Sequence, residues 1–318
     1  MCYPIRSFIA RGGVARRRCL QEAERSCGYI LKEGSIVDNR PIGVFDSGLG
    51  GLTAVKELRT IMPDEKIVYL GDTARAPYGT RSDRNIQRYA VQDAKFLLEK
   101  GVKAILIACG TVSSTSMKEV RECVGDDIPV MGVIDASALK AAGGTENKRI
   151  AILATSATIR SRSYVKKLLE VDPDIDYVEK GCPLLVSLVE NGYVDKDNIA
   201  LNEIIKDYLA GVLPFDADTY ILGCTHFPII KEAIRRHTGS AELIESGKEA
   251  AIELKHYIES HDMCCEVSGQ SADGREQGMG KGSVTVYVTE RTGNFNKVAE
   301  IFMGDVHIDR VEEISFDK

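Results

Sequence analysis

Two cysteines stand in matching surroundings in different halves of the chain. Ala104-Ile-Leu-Ile-Ala-Cys109-Gly110-Thr111 is an apolar run that ends in a thiol and small polar residues, and Tyr220-Ile-Leu-Gly-Cys224-Thr225-His226 nearly repeats it. An apolar run without alternation suits a strand buried on both faces of a parallel sheet. Ligands of open α/β sheets bind beyond the carboxyl ends of such strands. One cysteine at a strand end is more often packing than chemistry; two in the same local context favour chemistry. Two thiols facing each other across a cleft can take a proton from one face of a carbon and return one to the other. One sulfur must then be a thiolate while its partner keeps its proton, and a free thiol pKa of ~8.5 is lowered by nearby donors, cations or helix starts. Each sulfur must also come within hydrogen-bonding reach of the proton it moves. Asp46, Asp72 and His226 are expected to set the thiols' protonation, and Thr111, Thr225 and backbone amides to hold a substrate carboxylate.

The other cysteines carry less. Cys182-Pro183 lacks the strand-end context, and Cys123 falls in a helix among charged residues. No CxxC-type spacing appears, and Cys264-Cys265 are adjacent among polar residues, so no metal site is expected. Gly48-Leu-Gly-Gly51 does not have the G-x-G-x-x-G spacing, which leaves a dinucleotide site and hydride transfer as weak readings.

Positioning these residues requires a repeated strand–helix unit. Ile42 to Phe45 reads as a strand that ends in Asp46-Ser47 and a glycine-rich turn, followed by a helix from Thr53 to Met62. Asp46 or Ser47 can accept hydrogen bonds from the helix-start amides, and such amides suit a carboxylate or phosphate. Lys66 to Leu70 is a second strand, and Pro77 and Gly79 mark a fixed loop after it. Ser82 is a cap for a helix with apolar positions Ile86, Tyr89, Ala90, Ala94 and Leu97 at the 3.6-residue period. The Cys109 strand follows, then a helix from about Ser113 and a strand from Val130 to Ile134. The pattern restarts near residue 136. Strands are expected at Arg149–Leu153, Ile175–Val178 and Thr219–Leu222, with a helix that follows Ala154-Thr-Ser-Ala-Thr158 and runs to about Val171, and further helices over Leu184–Glu190, Ile199–Leu209 and Ser246–Tyr257. Residues 260–282 read as a mobile connection before a last strand, Val284–Val288, and a last helix, Phe295–Met303. The fold class is therefore α/β, with two domains of mainly parallel sheet.

The totals bound the function. The chain of 318 residues has room for two domains with their own cores. A net charge of −6 argues against a general nucleic-acid binder, and no apolar run approaches the ~18 residues of a membrane span. Nine cysteines without regular spacing suit a reducing cytoplasm. The early arginines (Arg6, Arg11, Arg16 to Arg18) are not followed by the apolar core of a secretory signal. Residues 1–40 read as a poorly ordered extension, within which Val14 to Tyr29 suits a helix.

Five ordered motifs between Pro41 and Phe302 resemble the cofactor-independent glutamate racemases of the aspartate/glutamate racemase superfamily. They are Ile-Gly-Val-Phe-Asp46-Ser47-Gly-Leu-Gly-Gly, Gly-Asp72-Thr-Ala-Arg-Ala-Pro77-Tyr78-Gly79, Ala-Cys109-Gly-Thr111, Cys182-Pro-Leu and Gly-Cys224-Thr225-His226-Phe-Pro. The resemblance implies an isomerase that interconverts L- and D-glutamate without cofactor, supplies D-glutamate for peptidoglycan, and often forms a homodimer. It implies Cys109 and Cys224 as the two bases, and Asp46, Ser47, Tyr78, Gly79, Gly110, Thr111, Thr225 and His226 as substrate-binding positions, with Asp72 in support. It also implies two doubly wound α/β domains with the active site in the cleft between them, and a C-terminal segment that returns to the first domain, giving domains 41–135 plus 243–318 and 136–242. One position departs: most members carry Asn where this chain has Gly110. A lost side-chain hydrogen bond to a charged group is worth ~1.5–3 kcal/mol, while the Gly110 amide remains and has room to approach a ligand. The departure bears on affinity and substrate choice more than on reaction type. It leaves a racemase of another acidic amino acid, such as aspartate, and a ligand-binding homologue with a weakened site as alternatives.

Overall fold

The structure is a computed structural model, and it describes residues 29–32, 35–266 and 282–316. The helix expected over Val14 to Tyr29 lies, except for Tyr29, outside these residues. So does most of the connection expected over 260–282.

Two parallel sheets organise the described residues. The six-stranded sheet contains β3 (Ile42–Asp46), β4 (Ile67–Gly71), β5 (Ala104–Ile107), β6 (Val130–Gly132), β11 (Val284–Val288) and β12 (Arg310–Glu313), in the order β12-β11-β4-β3-β5-β6. The four-stranded sheet contains β7 (Arg149–Ala154), β8 (Asp176–Gly181), β9 (Thr219–Gly223) and β10 (Glu242–Glu245), in the order β10-β9-β7-β8. Branched apolar runs make the central strands: Ile42, Val44 and Phe45 of β3, and Ile105, Leu106 and Ile107 of β5, are fully buried. At the edge, β12 carries Arg310, Glu312 and Glu313, charges that discourage further pairing.

The strand order places the chemistry. In the larger sheet the chain leaves β3 for β4 on one side and later reaches β5 on the other, so β3 and β5 flank a switch point. In the smaller sheet β7 and β9 do the same. A crevice opens at the carboxyl ends of such strand pairs. Phe45 is in register with Ile107, and Ala154 with Gly223. Asp46 and Cys109 therefore share one crevice, and Thr155 and Cys224 share the other.

Several expectations change. Val130–Ile134 is not one strand: β6 stops at Gly132, and Val133–Gly144 is a helix with Asp135 in its first turn and four alanines. Asp135 suits a helix start and alanine is the strongest helix former. The helix expected from Ser113 starts at Gly110, so that Cys109 is its N-cap residue, and a second helix spans Met117–Val124 after a break at Ser116. The helix expected to run to Val171 is two, Ser156–Ser161 and Ser163–Val171, separated by Arg162 in the left-handed region. Lys231–Thr238 and β10 had no sequence expectation, and β12 follows the strand read as last. Leu243, the expected start of the return, pairs with Tyr220 in the smaller sheet; the chain goes back through the helix Ser246–Ser260, which packs on both Leu52–Ile61 and Val133–Gly144.

Part of the expected extension is built into the fold. Residues Tyr29–Lys32 and Ser35–Asp38 (β1 and β2) pair as an antiparallel hairpin. Asp38 is buried, and its carbonyl accepts from the buried Lys103 Nζ at 2.9 Å. Lys103 also donates to the Met263 carbonyl and pairs with Glu65 at 2.7 Å. Residues 263–266, expected to be mobile, are thus held at the foot of the larger sheet. Cys265 belongs to this anchor, where its amide donates to Glu65, and no group of metal-ligating residues exists among the described residues. No helix among the described residues is long and apolar enough to cross a membrane.

Candidate active site

Cys109 caps the short helix that leaves β5, and Ser47 and Asp46 reach it from the end of β3. The Cys109 Sγ donates to Ser47 Oγ at 3.6 Å. Burial, and then the Asp46 carboxylate, push the Cys109 thiol up to about 12, against the donors at Val112 and Ser47. Asp46 Oδ2 accepts from the amides of Gly51 (3.0 Å) and Gly48 (3.3 Å), while its buried Oδ1 meets no hydrogen-bond geometry among the described residues. Burial raises the Asp46 pKa, opposed by the His226 charge and those amides. The sequence reading of Asp46 as an acceptor for helix-start amides holds.

Cys224 ends β9 on the other side. Its Sγ is 3.8 Å from His226 Nδ1, which also lies 3.2 Å from Thr225 Oγ1. His226 Nε2 faces Glu190 Oε1 at 3.0 Å. Burial disfavours the imidazolium, yet Cys224 and Glu190 outweigh it and push His226 up to about 10. The two thiols thus occupy opposite settings: Cys109 retains its proton beside a carboxylate, and Cys224 sits against a cationic ring.

Hydroxyls bridge the two halves. Thr111 Oγ1 lies 3.0 Å from Thr155 Oγ1, which lies 3.0 Å from Thr158 Oγ1, a chain that crosses from the larger sheet to the smaller. Thr53 Oγ1 donates to the Thr225 carbonyl at 3.1 Å, and Ser163 Oγ to the Ser114 carbonyl at 2.9 Å. Glycines let the two halves approach: a Cβ at Gly50 would overlap Thr225 Oγ1 and the His226 ring, and one at Gly79 would sit 3.3 Å from Thr155 Cβ.

Of the residues singled out in the sequence, Asp46, Ser47, Gly79, Cys109, Gly110, Thr111, Cys224, Thr225 and His226 gather at the facing strand ends. Tyr78 and Asp72 stand differently. The Tyr78 hydroxyl donates to Asp72 and lies 3.1 Å from an Asp93 carboxyl oxygen. Arg75 pairs with both carboxylates, at 2.6 and 3.3 Å, and Thr289 donates to Asp72 at 2.9 Å. Asp72 is thereby spent on a buried cluster and does not reach the thiols, contrary to its expected part in their protonation. The Tyr78 side chain is turned into that cluster, and the residue is fully buried.

Glu190, Thr155 and Phe302 were not singled out in the sequence. Glu190 ends the helix Pro183–Glu190 and looks like any solvated charge until folding brings it to His226. Phe302 packs edge-on to the His226 ring at 5.2 Å from a helix far along the chain. Thr155 did carry a signal, a hydroxyl directly after an apolar strand.

The sequence profile of the Asp/Glu/hydantoin racemase family matches residues 53–254. The chain is 36% identical to the glutamate racemase of Sulfurihydrogenibium sp. over 86% of this chain and 97% of that one. It is 37% identical to the glutamate racemase of Neisseria meningitidis over 87% and 97%. It superposes on the crystal structure of Francisella tularensis glutamate racemase in complex with D-glutamate with a TM-score of 0.79 and 36% identity, covering 88% of this chain and 99% of that one. On motifs, sheet order and these similarities, the chain belongs to the Asp/Glu/hydantoin racemase family.

Proposed function

We propose that this chain is a glutamate racemase, interconverting L- and D-glutamate by passing the Cα proton between two cysteines. The observation that carries this reading is the pair of thiols at the switch points of two facing sheets, one beside Asp46 and Ser47, the other beside His226 and Glu190. A reaction that must handle both enantiomers needs one proton donor and one acceptor on opposite faces of the carbon. Cys109, held as a neutral thiol, is suited to donate; Cys224, next to the His226 imidazolium, is suited to accept. In the reverse direction the roles exchange, with Asp46 beside Cys109 and His226 beside Cys224 as the groups that rebalance charge. Ser47, Thr111, Thr155 and Thr225 hydroxyls and the amides of Gly79 and Gly110 hold the amino acid's polar groups.

The division into domains 41–135 plus the C-terminal return and 136 to about 245, with the cleft between them, belongs to this proposal. So do the supply of D-glutamate to peptidoglycan in the cytoplasm and assembly as a homodimer. A panel of enantiopure amino acids followed by circular dichroism tests the reaction. Loss of signal from both L- and D-glutamate is the expected result; preference for aspartate would reassign the substrate, and no change with any acidic amino acid would leave a binding protein.

A further inference from the structure

Gly110 follows Cys109 directly, and Gly223 directly precedes Cys224. The two glycines touch: a Cβ built on Gly110 would lie 2.5 Å from the Gly223 carbonyl oxygen, with Thr158 Oγ1 next at 3.8 Å. We infer that this backbone contact is the spacer that sets the separation of the two thiols, making Gly110 a positioning residue. The inference rests on the racemase reading above.

Neither side can give way locally. Gly223 lies at the end of β9, which is paired with β7 and β10. Behind it a Cβ would already meet the Tyr164 ring at 2.8 Å and Ala154 Cβ at 3.1 Å. Tyr164 is itself buried and bonded to Ser246 Oγ, which donates to the Leu222 carbonyl at 2.9 Å. On the other side, Gly110 opens the helix whose Ser113 amide donates to the Cys109 carbonyl. A side chain at 110 therefore moves one half away from the other, and the thiols separate with them. Restoring an ordinary contact of 3.4 Å from 2.5 Å takes about 1 Å, a displacement that can reduce a well-aligned reaction about 100-fold. Two sulfurs that serve one carbon from opposite faces must each stay within about 3–3.5 Å of it, so the span has little slack. The Asn found at this position in most of the family would be a wedge in this chain, not a restored ligand.

The test uses Gly110→Ala and Gly110→Asn in the full chain, with thermal unfolding as the check on folding. We expect kcat to fall about 100-fold in both directions with a much smaller change in KM. In deuterated water, one thiol still exchanges the Cα proton while the other is out of reach, so deuterium in recovered substrate should outrun inversion. Wild-type kcat in either variant, or exchange and inversion falling in proportion, overturns the spacer. If neither variant folds, a wild-type crystal structure decides: Gly110 out of contact with the Gly223 carbonyl contradicts it, and contact around bound glutamate supports it. If the wild type racemises nothing, the functional reading has failed, and the spacer is judged from crystal structures alone. The Cys109–Cys224 sulfur separation should then be larger in Gly110→Ala, and an unchanged separation overturns it.

Discussion

His226 Nε2 lies 3.0 Å from Glu190 Oε1, which fixes the ring so that Nδ1 addresses the Cys224 sulfur. A carboxylate on the far nitrogen orients an imidazole and favours its charged form. Removing that charge while keeping the shape should weaken both effects. Glu190→Gln is expected to reduce turnover by about one to two decades, the equivalent of one charge-assisted hydrogen bond, and to move the alkaline limb of the pH–rate profile down from about 10. Initial rates from each enantiomer between pH 6 and 11 check both.

Stability should fall as pH rises. The folded pKa of His226 is raised from 6.5 to about 10 and that of Cys109 from 9.0 to about 12. Above its ordinary pKa each group loses its proton in the unfolded chain while the folded chain keeps it, so the folded state binds more protons and stability drops with pH. The histidine contribution is complete below about 6.5 and lost as pH rises through about 10; the thiol contribution is complete below about 9 and lost through about 12. Urea midpoints measured from pH 6 to 11 should decline, and His226→Asn should flatten the portion between 6.5 and 10.

The Tyr78 cluster separates a structural role from a binding one. Arg75 pairs with Asp72 and Asp93, and burial together with the Asp72 charge already pushes Asp93 well up. Arg75→Met leaves the buried Asp72 carboxylate without its cation and should cost about 3–5 kcal/mol, read as a large drop in Tm. Tyr78→Phe should also lower Tm but leave KM for glutamate within about twofold, because a net hydrogen bond of about 1 kcal/mol is lost inside the cluster and not in the cleft.

Under the racemase proposal, Thr155 belongs to the groups that hold the substrate. Its hydroxyl lies between Thr111 and Thr158. Thr155→Val keeps the shape and removes the hydroxyl, and is expected to raise KM about five- to tenfold, the equivalent of about one hydrogen bond. Steady-state kinetics in both directions read this; an unchanged KM would remove Thr155 from the binding set.

How much of this was legible in the sequence depended on the range of the signal. Ile105 to Ile107 announced a buried strand, Ile199–Leu209 an amphipathic helix, and the matching Cys-Thr endings a paired site, because each is written within a few neighbouring residues. Val133–Gly144 was lost because Val130, Val133 and Ile134 make one apolar run across the strand–helix boundary at Gly132. Glu190, Phe302 and the inward turn of Tyr78 depend on contacts between distant segments that no local pattern encodes. Gly110 was visible as a departure from the family, but its reason, the Gly223 carbonyl in the other half, needed the fold.

In the proposed reaction Cys109 and Cys224 work as two bases on opposite faces of one carbon. The most direct measurement is racemisation of L- and D-glutamate in deuterated water by the wild type, Cys109→Ala and Cys224→Ala, with Cα deuterium followed in substrate and product. Each variant is expected to lose inversion by about 10²–10⁴-fold, the usual reach of a positioned acid or base, and to retain exchange from one enantiomer only, opposite in the two variants. Near-wild-type inversion by either variant would contradict the two-base reaction.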